Sequence, residues 1–141
     1  MKHGLDKEVI TTDLAPRALG PYSVGIRANH LIFTAGQIGI NQETNELVDG
    51  GIQAQTRQAL ENVRAVLEAA GSTLDLVLKT TVFLKDMGEF GQMNSIYAEF
   101  FGHQPPARSA VQVAALPKGA VVEIEAIAVN PCETHDNCCH D

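Results

Sequence analysis

The sequence predicts an α+β domain, a mixed β-sheet with two helices packed on one face. Three observations carry this. The elements run in the order β-β-β-α-β-α-β-β, so each helix falls between strands. The chain has 141 residues, room for one ordinary domain but not for two. Its last strand alternates a wholly apolar set (Val122, Ile124, Ala126, Ala128) with a set of mixed polarity (Val121, Glu123, Glu125, Ile127, Val129). The first set suits a helix-covered face. The second is half apolar and has no element left to cover it, which motivates burial against another copy of the chain.

Lys7 to Thr12 reads as a first strand, followed by an irregular stretch through Pro16, Gly20 and Pro21. Tyr22 to Ala28 and Leu31 to Gly36 form a hairpin around Asn29-His30, and Asn41 to Gly51 is a polar loop. Ile52, Thr56, Ala59, Leu60, Val63, Val66, Leu67 and Ala70 recur at steps of three and four, one apolar face of a helix that Gly71 closes. Leu76 to Lys85 is β-branched and apolar, a strand. Asp86 and Glu89 have capping-box spacing before a second helix carrying Phe90, Met93, Tyr97, Phe100 and Phe101. Gly102 and Pro105-Pro106 end it, and Arg108 to Ala115 and Val121 to Val129 are the last strands. Residues 1–130 thus form a single domain, and residues 131–141 form a Cys/His-rich tail expected to be disordered.

Composition excludes several functions. Hydrophobic residues at 45% and charged residues at 19% suit a globular core. Ten Lys+Arg against seventeen Asp+Glu give a net charge of −7, with no basic run, so the footprint of a nucleic-acid partner is missing. Apolar stretches fall well short of the ~20 residues that span a membrane, so no membrane partner is expected. The polar start Met1 to Asp6 lacks a secretory pattern, and a cytoplasmic location is expected. All three cysteines lie in the tail, so the body holds no disulfide and no cysteine nucleophile. Cys132, His135, Cys138, Cys139 and His140 are closely spaced soft ligands, suited to a thiophilic ion or to no ligand at all.

Several segments coincide along the chain: Leu19-Gly-Pro-Tyr-Ser23, Thr34-Ala-Gly-Gln37, Gln58-Ala-Leu-Glu-Asn-Val63, Leu78-Lys-Thr-Thr-Val-Phe-Leu-Lys-Asp86 and Met93-Asn-Ser-Ile-Tyr97. Pro106-Ala-Arg-Ser109, Leu116-Pro117 and Val122-Glu-Ile-Glu-Ala-Ile-Ala128 follow. In this order and spacing the chain resembles the Rid family of reactive-intermediate (enamine/imine) deaminases, the YjgF type, over about residues 8–130. The resemblance implies a chorismate-mutase-like fold, a homotrimer with clefts between subunits, and hydrolysis of small 2-imino acids such as 2-iminopropanoate and 2-iminobutanoate to 2-keto acids and ammonia. It implies no metal and no organic cofactor. A non-catalytic regulatory trimer that binds small ligands is the alternative. An endoribonuclease or translation inhibitor is a third reading, disfavoured by the acidic charge.

The resemblance also implies roles residue by residue. Arg108 matches the arginine that holds the substrate carboxylate, a task for which a planar guanidinium fork is suited. Glu123 matches an acidic residue near the catalytic water, on the strand expected beside that of Arg108, with Glu125 as a rival. Tyr22 matches a cleft tyrosine, Asn94 a polar position near the cleft, and Gly36 a close approach of backbone to ligand. Ala110 stands where many members have cysteine; the implied role belongs to the backbone carbonyl there, which would bond the imine nitrogen. Ala35 stands where some relatives have serine.

Overall fold

The computed structural model describes residues 6–131. Its strands are β1 (Lys7–Ile10), β2 (Gly25–Ala28), β3 (Leu31–Thr34), β4 (Gln37–Ile38), β5 (Ile40–Asn41), β6 (Glu46–Leu47), β7 (Val77–Leu84), β8 (Ala107–Gln112) and β9 (Val122–Val129). Its helices are α1 (Gly51–Ala69) and α2 (Phe90–Phe100). The main sheet runs β1-β2-β3-β9-β7-β8, with β4 also paired to β9. All its pairs are antiparallel except β7–β8, which are parallel and joined through α2. The sheet is therefore mixed, as the element order predicts.

Local chemistry fixes the ends of these elements. Asn29, at φ 52°, turns β2 into β3, a left-handed position that asparagine tolerates. At the end of α1, Gly71 takes φ 91° while its N–H donates to the Glu68 carbonyl at 3.1 Å and the Ser72 N–H to that of Leu67 at 2.8 Å. That is a Schellman closure, which needs a residue free to adopt positive φ. Asp86 accepts from the Gly88 N–H at 2.8 Å, opening a 3-10 turn over Met87–Glu89 that leads into α2. The Glu89 N–H donates to the Asp86 backbone carbonyl at 3.0 Å, so a turn stands where the spacing predicts a capping box.

Both helices cover one face. Ala59, Leu60, Val63, Val66 and Leu67 of α1 and Met93 and Tyr97 of α2 join Val122, Ile124, Ala126 and Ala128 of β9 in one buried cluster. Each fully buried aliphatic side chain contributes about 1.5–3 kcal/mol. The other face is uncovered. Across it Val9, Ile26, Phe33 and Ile127 stand in one cross-strand row, with Val9 58% and Phe33 39% exposed.

Three expectations change. The polar stretch after Asn41 is not wholly a loop, because β5 and β6 make a small hairpin that turns at Asn45 (φ 62°). The second strand of the first hairpin stops at Thr34; β4 is a separate short strand beyond Ala35-Gly36. Glu123 does not lie on a strand beside that of Arg108, because β7 separates β9 from β8. The cause is the β7–α2–β8 crossover, which sets β8 parallel on one side of β7 and leaves the other side for β9. The tail from Cys132 lies outside the described residues. Among the described residues no helix is long and apolar enough to cross a membrane.

Candidate active site

Arg108 sits near the start of the edge strand β8, in register with Thr80 of β7. Thr80 is buried beneath the helices, so its cross-strand neighbour Arg108 points to the same face. There α2 meets it. The Arg108 Nη1 donates to Asn94 Oδ1 at 2.8 Å. The guanidinium carbon lies 5.3 Å from the Phe90 ring centroid and 4.7 Å from that of Tyr97, within cation–π range. Phe90, Asn94 and Tyr97 follow one another at helical steps of four and three, which puts all three on one side of α2. A cleft of about 490 Å³ opens here, walled by Asn94, Tyr97, Ala98, Phe101, Gly102, Pro105, Pro106 and Arg108. Its walls are largely apolar, with the guanidinium as their cation.

Ala110 follows on the same strand, its methyl packed toward the core. The Val113 N–H donates to the Leu84 carbonyl at 2.8 Å, so odd-numbered residues of β8 turn their backbone groups to β7. Alternation then turns the Ala110 carbonyl to the uncovered edge. A backbone acceptor is thus presented two residues from Arg108.

Tyr22, Gly36 and Glu123 meet elsewhere. They share a cleft of about 550 Å³ with Leu19, Gly20, Pro21, Ser23, Ala35 and Pro117. The Tyr22 hydroxyl accepts the Leu19 N–H at 3.0 Å, which leaves its own proton to donate outward. A Cβ on Gly36 would overlap the Glu123 carboxylate, so what this glycine makes room for is the acid itself. Burial raises the Glu123 pKa above the ordinary glutamate range, and the neighbouring Glu125 carboxylate adds to the rise. A carboxyl so placed exchanges its proton closer to neutrality than a solvated one does. Of the two acids on this face, Glu123 is half-buried and Glu125 is exposed.

Thr34 brings this second group together. Its Oγ1 accepts the Ala126 N–H at 3.0 Å, filling the ladder position between the β3–β9 and β4–β9 pairings. Ala35 and Gly36 are thereby carried over β9 beside Glu123.

One chain does not bring Arg108 to Glu123. Glu123 is in register with Phe83, and Phe83 with Val111, so the two residues are two strands and three positions apart. At about 4.8 Å per strand and 3.3 Å per residue, their Cα atoms stand roughly 14 Å apart. Their side chains also leave opposite faces, because Glu123 alternates with the buried Val122 and Ile124. The six expected residues thus fall into two groups: Arg108, Asn94 and Ala110 in one, Tyr22, Gly36 and Glu123 in the other. Sequence reasoning missed Thr34, Phe90 and Tyr97. The spacing of the last two signals helix packing as well as it signals a site.

Known proteins share this sequence and fold. Residues 12–130 match the family endoribonuclease L-PSP. A RutC family protein of Pyrococcus horikoshii is 57% identical over 122 residues, covering 86% of this chain and 97% of the relative. The 2-iminobutanoate/2-iminopropanoate deaminase of Mus musculus is 48% identical over 123 residues, covering 87% and 91%. Among solved structures, E. coli TdcF with bound serine superposes with a TM-score of 0.82 at 45% identity, covering 86% of this chain and 98% of that one.

Proposed function

Because the chain belongs to the endoribonuclease L-PSP family, also called the YjgF, RutC or Rid family, we propose that it hydrolyses 2-imino acids to 2-keto acids and ammonia in clefts between the subunits of a homotrimer. The observation that carries the proposal is the Arg108 guanidinium, braced by Asn94 and two rings beside an apolar cleft. Nη1 is engaged, and Nη2 and Nε have no partner among the described residues, so donors remain for a carboxylate. The serine held by the related E. coli protein is itself a small α-carboxylate.

Each residue then has a task. Arg108 meets the substrate carboxylate with parallel hydrogen bonds. The Ala110 carbonyl accepts from the protonated imine nitrogen. Glu123 of a second subunit takes a proton from water as the water oxygen bonds to C2 and the C=N π pair moves to nitrogen. Tyr22 donates to that water or to the carboxylate. The product of this step is a carbinolamine. Glu123 returns the proton to its nitrogen; the regenerated carboxylate then takes the hydroxyl proton as the oxygen forms C=O and the C–N bond breaks, its electron pair leaving with ammonia. The raised pKa of Glu123 suits both directions of transfer. A ribonuclease reading finds no support in a chain of net charge −7.

The test is clearance of 2-iminopropanoate and 2-iminobutanoate generated in situ, scored against spontaneous hydrolysis. Two charge-assisted bonds at about 1.5–3 kcal/mol each set the scale, so Arg108→Ala loses about two orders of magnitude in rate. Arg108→Lys is also poor, since an ammonium lacks the fork. An Arg108→Ala protein that keeps wild-type assembly and clears imine at the wild-type rate overturns the reading.

A further inference from the structure

Behind Arg108 lies a buried polar pair that the mechanism does not use. The Tyr97 hydroxyl and Thr80 Oγ1 are 2.7 Å apart, with Tyr97 6% and Thr80 1% exposed. A phenylalanine and a valine would fill the same volumes without a polar atom, and a buried neutral hydrogen bond adds little net stability over such a pair. What the bond adds is placement. Thr80 is the cross-strand neighbour of Arg108, so the hydroxyl is tied to the sheet at the level where the guanidinium leaves it. The ring of Tyr97 then presents its face 4.7 Å from that guanidinium. Asn94 holds the group at one nitrogen, and Tyr97 fixes the plane in which its other donors lie.

We propose that Tyr97 is a positioning residue for Arg108, its hydroxyl bonded to Thr80 so that the ring holds the guanidinium in the orientation that meets a substrate carboxylate. The inference rests on the reading of Arg108 as the carboxylate site. Burial raises the Tyr97 pKa, more than the Thr80 bond and the Arg108 charge lower it, so the hydroxyl stays protonated and the contact with Arg108 is one of cation to ring face. Tyr97 also packs on Phe101 at 4.8 Å between centroids, so a role in packing alone is the competing account.

The experiment uses the full chain with Tyr97→Phe, Thr80→Val, the double substitution and Arg108→Ala. KM and kcat are measured for in-situ 2-iminobutanoate, Kd for the unreactive carboxylate 2-oxobutanoate, and the thermal midpoint for each variant. A loosened fork weakens binding of the carboxylate before it touches the chemistry, so Tyr97→Phe and Thr80→Val each raise KM and Kd by about 5- to 10-fold with kcat changed less than about twofold. The double substitution removes both polar atoms and recovers the thermal midpoint, yet KM stays raised. Packing alone predicts that KM returns with the midpoint, and that result overturns the proposal. So does a wild-type KM in both single variants. Arg108→Ala separates the two readings. Loss of 2-oxobutanoate binding there, beside wild-type values in Tyr97→Phe, refutes only the role of Tyr97; unchanged binding in Arg108→Ala refutes the carboxylate site itself.

Discussion

At Gly36 the space that a methyl group would fill is already taken by the carboxylate of Glu123. The backbone of Gly36 is outside the left-handed region, so alanine is conformationally allowed there. The atoms it would displace are the end of a flexible side chain, which can swing away at little cost. Gly→Ala at a compatible site adds about 0.4–1 kcal/mol through the unfolded state. Gly36→Ala is therefore expected to fold at least as stably as wild type and to lose most of its turnover, since a misplaced proton carrier forfeits a factor of about 10²–10⁴. Urea unfolding and kcat measured on one preparation check both halves. At this scale Arg108, Glu123, Tyr22 and Gly36 were legible only through the motifs that carry the family resemblance, since an arginine at a strand start or a tyrosine beside a proline turn serves packing and surface roles equally well. Phe90 and Tyr97 were not, because an aromatic at helical spacing looks the same whether it fills a core or faces a guanidinium.

Among the elements, periodicity located α1 and β7 closely, because long segments average out local ambiguity. β4, β5 and β6 have two residues each and carry no period to detect. Side chains hold this region instead. Asn62, 1% exposed on α1, donates through Nδ2 to the carbonyls of Ile38 at 3.1 Å and Ile40 at 2.9 Å, while its Oδ1 accepts from Gln58 at 2.9 Å. Gln55 accepts the Val121 N–H at 3.0 Å at the entry to β9. Both polar residues lie among the apolar positions of α1, where a hydrophobic count passes over them. Asn62→Leu removes the partner of two buried carbonyls, and at about 1–3 kcal/mol for each the expected cost is about 2–6 kcal/mol. Equilibrium urea denaturation measures it. The order of β7, β8 and β9 was hidden for a different reason: strand adjacency is decided by the handedness of a crossover, which local composition does not encode.

For the molecule as a whole, the Arg108 and Glu123 groups leave opposite faces of one sheet, the row Val9, Ile26, Phe33 and Ile127 lies uncovered, and the proposed cleft takes its arginine and its acid from different copies of the chain. This predicts complementation. Arg108→Ala and Glu123→Gln chains, each inactive alone, regain activity when unfolded together and reassembled in equal amounts. A cleft is intact only when a Glu123→Gln chain supplies the arginine and an Arg108→Ala chain the acid, so about one quarter of wild-type turnover returns if the copies mix at random. Turnover of the mixture that merely averages the two parents would place both groups in one chain. The central position of β9 also bears on how the protein is made. Thr34 and the backbone of Ala126 that it bonds are 92 residues apart. A ribosome adding about 5–20 residues each second takes roughly 5–20 s to cover that interval. Throughout it the β3 edge is complete, extended and without its neighbour, the state in which strands pair with other chains. Nascent protein is thus most prone to aggregate in the interval before β9 emerges, and that late strand protects the strands made before it.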